Sequence, residues 1–274
     1  MKLPKTLVLG LVVHFSVLSV GFAQSPPPTA KTKGRLLGDM TWIEARDALS
    51  SDTVIVIALG AESKEHGPHL KLRNDWTMAE YFKRRILEAS DVVVAPTINY
   101  HFYPAFVEYP GSTTLRLETA RDLVVDICAS LAKHGPRRFY IINTGVSTLR
   151  ALAPSAELLA QQGILLRYTD ILNVSSGVAK SLTQQKEGTH ADEIETSTML
   201  FIDPQSVDMR KASRDYPAGQ GVLTPDKNKP GRYSPSGIFG DATLATREKG
   251  EQVVEATLQG MLREIDQLRH ATLP

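Results

Sequence analysis

The stretch Ser63–Trp76, SKEHGPHLKLRNDW, places two histidines, a glutamate, an aspartate and three basic residues in fourteen positions. Its Gly67–Pro68 pair forbids a regular helix through the middle. Imidazole and carboxylate groups around an open coordination position are what a hydrolytic metal needs. His66, His69, Glu65 and Asp75 offer that chemistry, and a solvated polar loop is the alternative. A second dense stretch, THADEIETSTML (189–200), sets His190, Asp192, Glu193 and Glu195 before a helical run. Acidic residues there have another explanation, because they cap free N–H groups and complement the dipole at a helix start. Neither stretch is specific by itself.

The elements that must position these groups alternate. DTVIVIAL (52–59), VVVAPTI (92–98), RRFYIIN (137–143) and ILLRYT (164–169) read as strands; the first is apolar throughout, as a strand covered on both faces should be. Between them, 75–90 carries Met78, Phe82 and Ile86 on one helical stripe, 117–135 is amphipathic and stops at glycine, and 149–162 is helical. This rhythm predicts a parallel or mostly parallel sheet between helices, with ligands bound beyond the C-terminal strand ends. Polar segments follow three of those ends: 60–75, 99–113 and 143–148. Residues 204–240 read as long loops or a lid, and 245–270 as a closing amphipathic helix, all in one domain. Tyr103, with Tyr100, Phe102 and Phe106, is a candidate for an apolar pocket wall or for core packing. His101 is a candidate ligand or substrate-facing residue, with a packed histidine as the alternative. No G-x-S-x-G elbow is present, which argues against a serine hydrolase of the α/β type.

HGPHLKLRND, then YPGSTTLRLET, a strand ending in Asn143, HADEIETSTML and ATREKGE together resemble the creatininase (creatinine amidohydrolase) family, in that family's order over roughly residues 52 to 265. The resemblance implies a three-layer α/β/α sandwich with a mostly parallel central sheet, commonly a homohexamer, carrying zinc, manganese or iron. It implies hydrolysis of C–N bonds of linear or cyclic amides by metal-activated water. Carried over by residue, His66 matches a metal-binding histidine, Asp75 a carboxylate bridging two metals, His190 a proton-transfer histidine and Glu195 an active-site glutamate that is also typed to be a ligand. A neutral imidazole near physiological pH suits proton delivery to a departing amine.

The departures matter as much. The family's usual Glu-x-His-Gly-Pro-His has Lys64 where its ligand glutamate stands, and one extra residue lies between Gly60 and His66, so Glu62 or Glu65 is placed to fill in. Gly145 replaces a second metal-binding histidine, and Ser147 stands where some members carry another carboxylate. The expectation is one strong metal position built from His66, Asp75, Glu195 and Glu65, with His190 and Lys64 catalytic, Lys64 supplying positive charge in place of a metal. His101, Tyr103 and Ser147 are expected to meet a small-molecule amide. A non-catalytic binding protein of the same fold, and a one-metal esterase or lactonase, are the rivals.

Lys2 and Lys5 before the apolar run TLVLGLVVHFSVLSVGFA read as a secretory signal cut after Ala23, with residues 24–36 a flexible lead-in and 37–274 the domain. The expected location is periplasmic or extracellular, with no membrane attachment after cleavage. With 274 residues and a formal net charge of +1, nothing favours nucleic acid as a partner. Cys128 is the one cysteine, so no internal disulfide forms, and its place on an apolar helix face reads as a buried structural thiol.

Overall fold

A computed structural model describes residues 32–274; the signal segment and most of the lead-in lie outside the described residues. Five strands, β1 (Arg35–Leu36), β2 (Val54–Leu59), β3 (Val93–Ile98), β4 (Arg138–Asn143) and β5 (Leu165–Tyr168), form one parallel sheet in the order β1-β3-β2-β4-β5. Strand side chains alternate between faces, and β2 is apolar on both. Val54, Val56 and Ala58 join a core with Met78, Phe82 and Ile86 of helix α2 (Asn74–Ala89), Met199 of α6 (Glu193–Ile202), and Val254, Leu258 and Met261 of α7 (Arg247–His270). Ile55, Ile57 and Leu59 join the other, with Ala48 of α1 (Trp42–Ala48), Val124 and Cys128 of α3 (Leu117–Ala132), and Leu152 and Leu159 of α4 (Leu149–Ala160). The result is the three-layer α/β/α sandwich that the alternating pattern and the resemblance imply.

Three features depart from the sequence reading. Arg35 and Leu36 pair with Val93 and Val94 as an edge strand, so the domain begins inside the stretch expected to be a flexible lead-in. Helix α1 is an element beyond the strand–helix alternation: Thr41 and Glu44 close a reciprocal capping box at its start, a T-x-x-E signature visible in the sequence. A short α5 (Ser176–Leu182) packs against α7, and residues 204–240 hold two-residue strands within their loops: β6 (Arg214–Asp215), β7 (Leu223–Thr224), β8 (Arg232–Tyr233) and β9 (Gly240–Asp241). β6 pairs with β9 and β7 with β8.

Gly60, ending β2, lets the sheet approach the site helix. A Cβ there would lie within 2.7 Å of the carbonyl carbon of Asp75, closer than packing allows. The opening of α2 is thereby drawn against the end of β2, which brings Asp75 beside the loop that carries His66. No helix of the described residues is long and apolar enough to cross a membrane.

Cys128 is fully buried, and burial pushes its thiol up to about 12. Thiolate is the reactive form, so iodoacetamide at pH 8 should leave the folded protein unmodified by mass spectrometry and label Cys128 only in denaturant.

Candidate metal centre and its flanking lysine

The site lies beyond the C-terminal ends of β2 and β4, where the first turns of α2 and α6 converge. Asp75, in the first turn of α2, is 1% exposed. Its Oδ1 is 2.8 Å from His66 Nε2 and its Oδ2 is 2.6 Å from Lys64 Nζ. Burial alone would raise the Asp75 pKa, but the Lys64 ammonium and His66 outweigh it and hold the carboxyl well below the usual carboxylate range. Lys64 is itself buried, its ammonium 5.4 Å from the centre of the Tyr103 ring and 5.1 Å from that of Phe106.

The hydrogen bonds of the two histidines decide where their lone pairs point. His66 Nδ1 is 2.8 Å from the Lys64 carbonyl oxygen, an acceptor only, so Nδ1 carries the hydrogen. His66 Nε2 therefore faces Asp75 Oδ1 at 2.8 Å and Glu195 Oε1 at 3.4 Å. A bare lone pair against two carboxylate oxygens is repulsive, so this corner requires a positive partner, either a second proton or a cation. His190 Nε2 is 2.9 Å from Glu65 Oε2 and donates to it, leaving Nδ1 free at 3.9 Å from Glu195 Oε2. One donor atom each from His66, His190 and Glu195 lie within 4.8 Å of one another.

A divalent cation therefore fits at the corner between His66 Nε2 and Glu195, beside Asp75 Oδ1, with nitrogen and oxygen ligands suited to zinc, manganese or iron, while His190 Nδ1, 3.9 Å from Glu195 Oε2, lies next to it and keeps its lone pair. The second position implied by the resemblance does not fit one. Lys64 Nζ sits on Asp75 Oδ2, and a side chain at Gly145 would have its Cβ 3.0 Å from Thr148 Cγ2 and 3.2 Å from Tyr103 Cε1. A ligand at position 145 would require Thr148 and Tyr103 to give way.

Each arm has its own support. Glu195 Oε1 accepts from Asn74 Nδ2 at 2.9 Å, and its Oε2 accepts from the Ala191 N–H at 2.6 Å. Ala191 adopts φ +49°, the one non-glycine left-handed residue among the described residues, beside His190; such strain persists where surrounding contacts enforce it. Asp192 caps α6, accepting from the Ile194 and Glu195 N–H groups at 3.0 Å each, so the alternative explanation for acidic residues at a helix start holds for that position. Fully buried Glu193 pairs with Lys249 of α7 and accepts from the Gln184 and Gln185 N–H groups, pinning the segment that leads to His190. Phe106 stacks on His190 with centroids 3.9 Å apart.

Lys64, Asp75, Tyr103, Ser147, His190 and Glu195 line one cavity of about 460 Å³. Two expectations need correction. Glu65 does not join the ligand group; it bonds the His190 ring and the Gly67 N–H, so it orients the histidine instead. His101 does not face the cavity: it is 1% exposed, its Nε2 donates to the Ala120 carbonyl at 3.1 Å, and burial pushes its pKa down to about 4. Tyr100 is 48% exposed and Phe102 packs with Ala120 and Ala151, so neither forms the cavity wall. His69, also held to about 4 by burial, is 2.8 Å from the Thr196 hydroxyl and brackets the loop to α6. Sequence reasoning missed Asn74, whose only signal is its place beside Asp75. Gly237 (φ +78°) lies in YSPSGIFGD (233–241), a stretch whose serines and glycines suit a tight loop and which resembles a family segment near the site mouth; a Cβ there would strike the Glu65 carboxylate.

A parallel sandwich with imidazole and carboxylate groups converging beyond its strand ends is the architecture of a metal-dependent hydrolase. The family model described as creatinine amidohydrolase matches residues 38–265, and the chain belongs to the creatininase family of amidohydrolases. It is 26% identical over 250 residues to creatinine amidohydrolase of Pseudomonas putida, covering 84% of this chain and 95% of that one. It is 25% identical over 242 residues to the mycofactocin precursor peptide peptidase of Mycobacterium tuberculosis (strain CDC 1551 / Oshkosh), covering 84% and 91%. A solved Mn form of creatininase superposes with a TM-score of 0.72 at 25% identity, over 87% of this chain and all of the other.

Two outcomes follow. Lys64→Met strands a buried carboxylate and should cost about 3–5 kcal/mol in urea unfolding, most of it recovered in Lys64→Met/Asp75→Asn. His101 is neutral in the fold, with its folded pKa below the unfolded 6.5, so its contribution is complete above pH 6.5 and lost as pH falls towards 4. That loss is roughly 3 kcal/mol at most, and it should be missing from the urea midpoints of His101→Gln measured over the same range.

Proposed function

We infer that the chain is an exported creatininase-family amidohydrolase that uses one divalent cation and one lysine ammonium to cleave a C–N bond of a linear or cyclic amide. The observation that carries the reading is the pairing of Lys64 with Asp75 beside the His66–Glu195 corner. A divalent cation held there supplies Lewis-acid activation of the water nucleophile. The protein's own groups do the rest. Lys64 presents a fixed positive charge, buried against the Tyr103 and Phe106 rings, where charge developing on the amide oxygen is stabilised more strongly than in water. Glu65 fixes the His190 tautomer so that Nδ1 takes up a proton and releases it to the departing nitrogen. Phe106, stacked on the ring, restricts its rotation. The Mn form of creatininase among the similar structures supports manganese as one suitable ion.

The leader that starts with Lys2 and Lys5 and ends at Ala23 supports export to the periplasm or beyond. The family resemblance supports a homo-oligomer, and Trp42, 74% exposed beside Ile43 on α1, offers apolar surface for such an assembly to cover.

The test is turnover of a panel of linear and cyclic amides by the mature protein supplied with zinc or manganese. Chelation should abolish hydrolysis, metal should restore it, and His190→Ala should lower kcat/KM by roughly 10²–10⁴-fold. Hydrolysis confined to esters or lactones would move the reading to the one-metal esterase. No turnover and no bound metal would leave a binding protein on the same fold.

A further inference from the structure

Within the cavity, two buried donors have capacity that the protein does not use. A lysine ammonium carries three N–H donors, and the sole charged acceptor at Lys64 Nζ among the described residues is Asp75 Oδ2. The faces of Tyr103 and Phe106 flank it and take no conventional hydrogen bond. Tyr103 is 2% exposed and lines the same cavity, and its hydroxyl has no hydrogen-bond partner. Burial, with the Asp75 charge nearby, holds that phenol well above its ordinary pKa, so at working pH it is a neutral O–H. Buried donors without acceptors are costly and mark places where a ligand atom belongs. Asp75 itself accepts and cannot serve as a donor, so an entering group that meets both donors must present an oxygen, best one bearing negative charge.

We propose that Lys64 Nζ and the Tyr103 hydroxyl form an acyl-oxygen subsite, which holds the carbonyl oxygen of the scissile amide before cleavage and the carboxylate of the product after it. The assignment rests on the hydrolase reading for the first half and on chemistry alone for the second. The subsite belongs to this chain's own residues: Lys64 stands on Asp75 Oδ2, and the Tyr103 ring lies against Gly145, where any side chain would press upon it. The wall beside Lys64 is the Phe106 ring, 5.1 Å from Nζ, so an acyl compound with a non-polar substituent next to its carbonyl suits the subsite.

Benzoate, a carboxylate with an apolar ring, is the probe. Its binding to the full mature protein is measured by calorimetry before and after chelation, beside kcat and KM for any amide that turns over. Tyr103→Phe keeps the ring and removes only the donor, so its thermal midpoint should stay within a few degrees of wild type. Its benzoate affinity should fall about 10-fold or more, and kcat should fall with KM little changed. Affinity for benzoate should survive chelation. Unchanged affinity in Tyr103→Phe, no binding by the wild type, or binding that vanishes on chelation would each overturn the subsite. The two readings fail separately. Tyr103-dependent benzoate binding without turnover of any amide sustains the subsite and removes the hydrolase, whereas turnover indifferent to Tyr103→Phe does the reverse.

Discussion

A carboxylate buried to 1% exposure cannot stay ionised without positive charge against it, and Asp75 meets that requirement with the Lys64 ammonium on Oδ2, while its Oδ1 faces His66 Nε2. Everything else in the site is arranged around this constraint. An ammonium tethered to the chain is always present, has one charge instead of two, and occupies its position through packing and not through dissociable coordination. The corner between His66 and Glu195 is different in kind, because its lone pair and oxygens face one another and ask for a partner from outside. On the proposed reading, the protein thus combines one built-in positive charge with one exchangeable position.

The fold delivers these groups from four separate stretches. Residues after β2 carry Lys64, Glu65 and His66, and the first turn of α2 returns Asn74 and Asp75 to them. The segment after β3 supplies Tyr103 and Phe106, and the approach to α6 supplies His190 and Glu195. Each pivot is fixed locally: Gly60 allows α2 close to the sheet, the Ala191 backbone is held left-handed, and Glu193 with Lys249 ties the preceding segment to α7. Precision of the site comes from the supporting groups as much as from the ligands.

How much of this was legible in the sequence follows from how local each signal is. Continuous apolar strands and the Met78–Phe82–Ile86 stripe are local patterns tied to burial, and their elements appear where the periodicity places them. Meeting of His66, Asp75, His190 and Glu195 became legible through the ordered blocks shared with a family, not through spacing. Glu65 and His101 show the limit. Both are typed for ligation, yet Glu65 bonds the far side of the His190 ring and His101 turns to the Ala120 carbonyl, choices set by side-chain direction in three dimensions. The crowding at the second position that the resemblance implies was half visible as Lys64 and Gly145. The rest, the way Tyr103 and Thr148 fill the space over Gly145, depends on packing between residues far apart in the chain.

The most direct measurement is anomalous diffraction, at the zinc or manganese edge, from crystals of the mature protein grown with that metal. The account predicts one peak per chain at the His66–Glu195 corner, with Lys64 Nζ still on Asp75 Oδ2. Two peaks bridged by Asp75, with Lys64 swung away from it, would contradict the account.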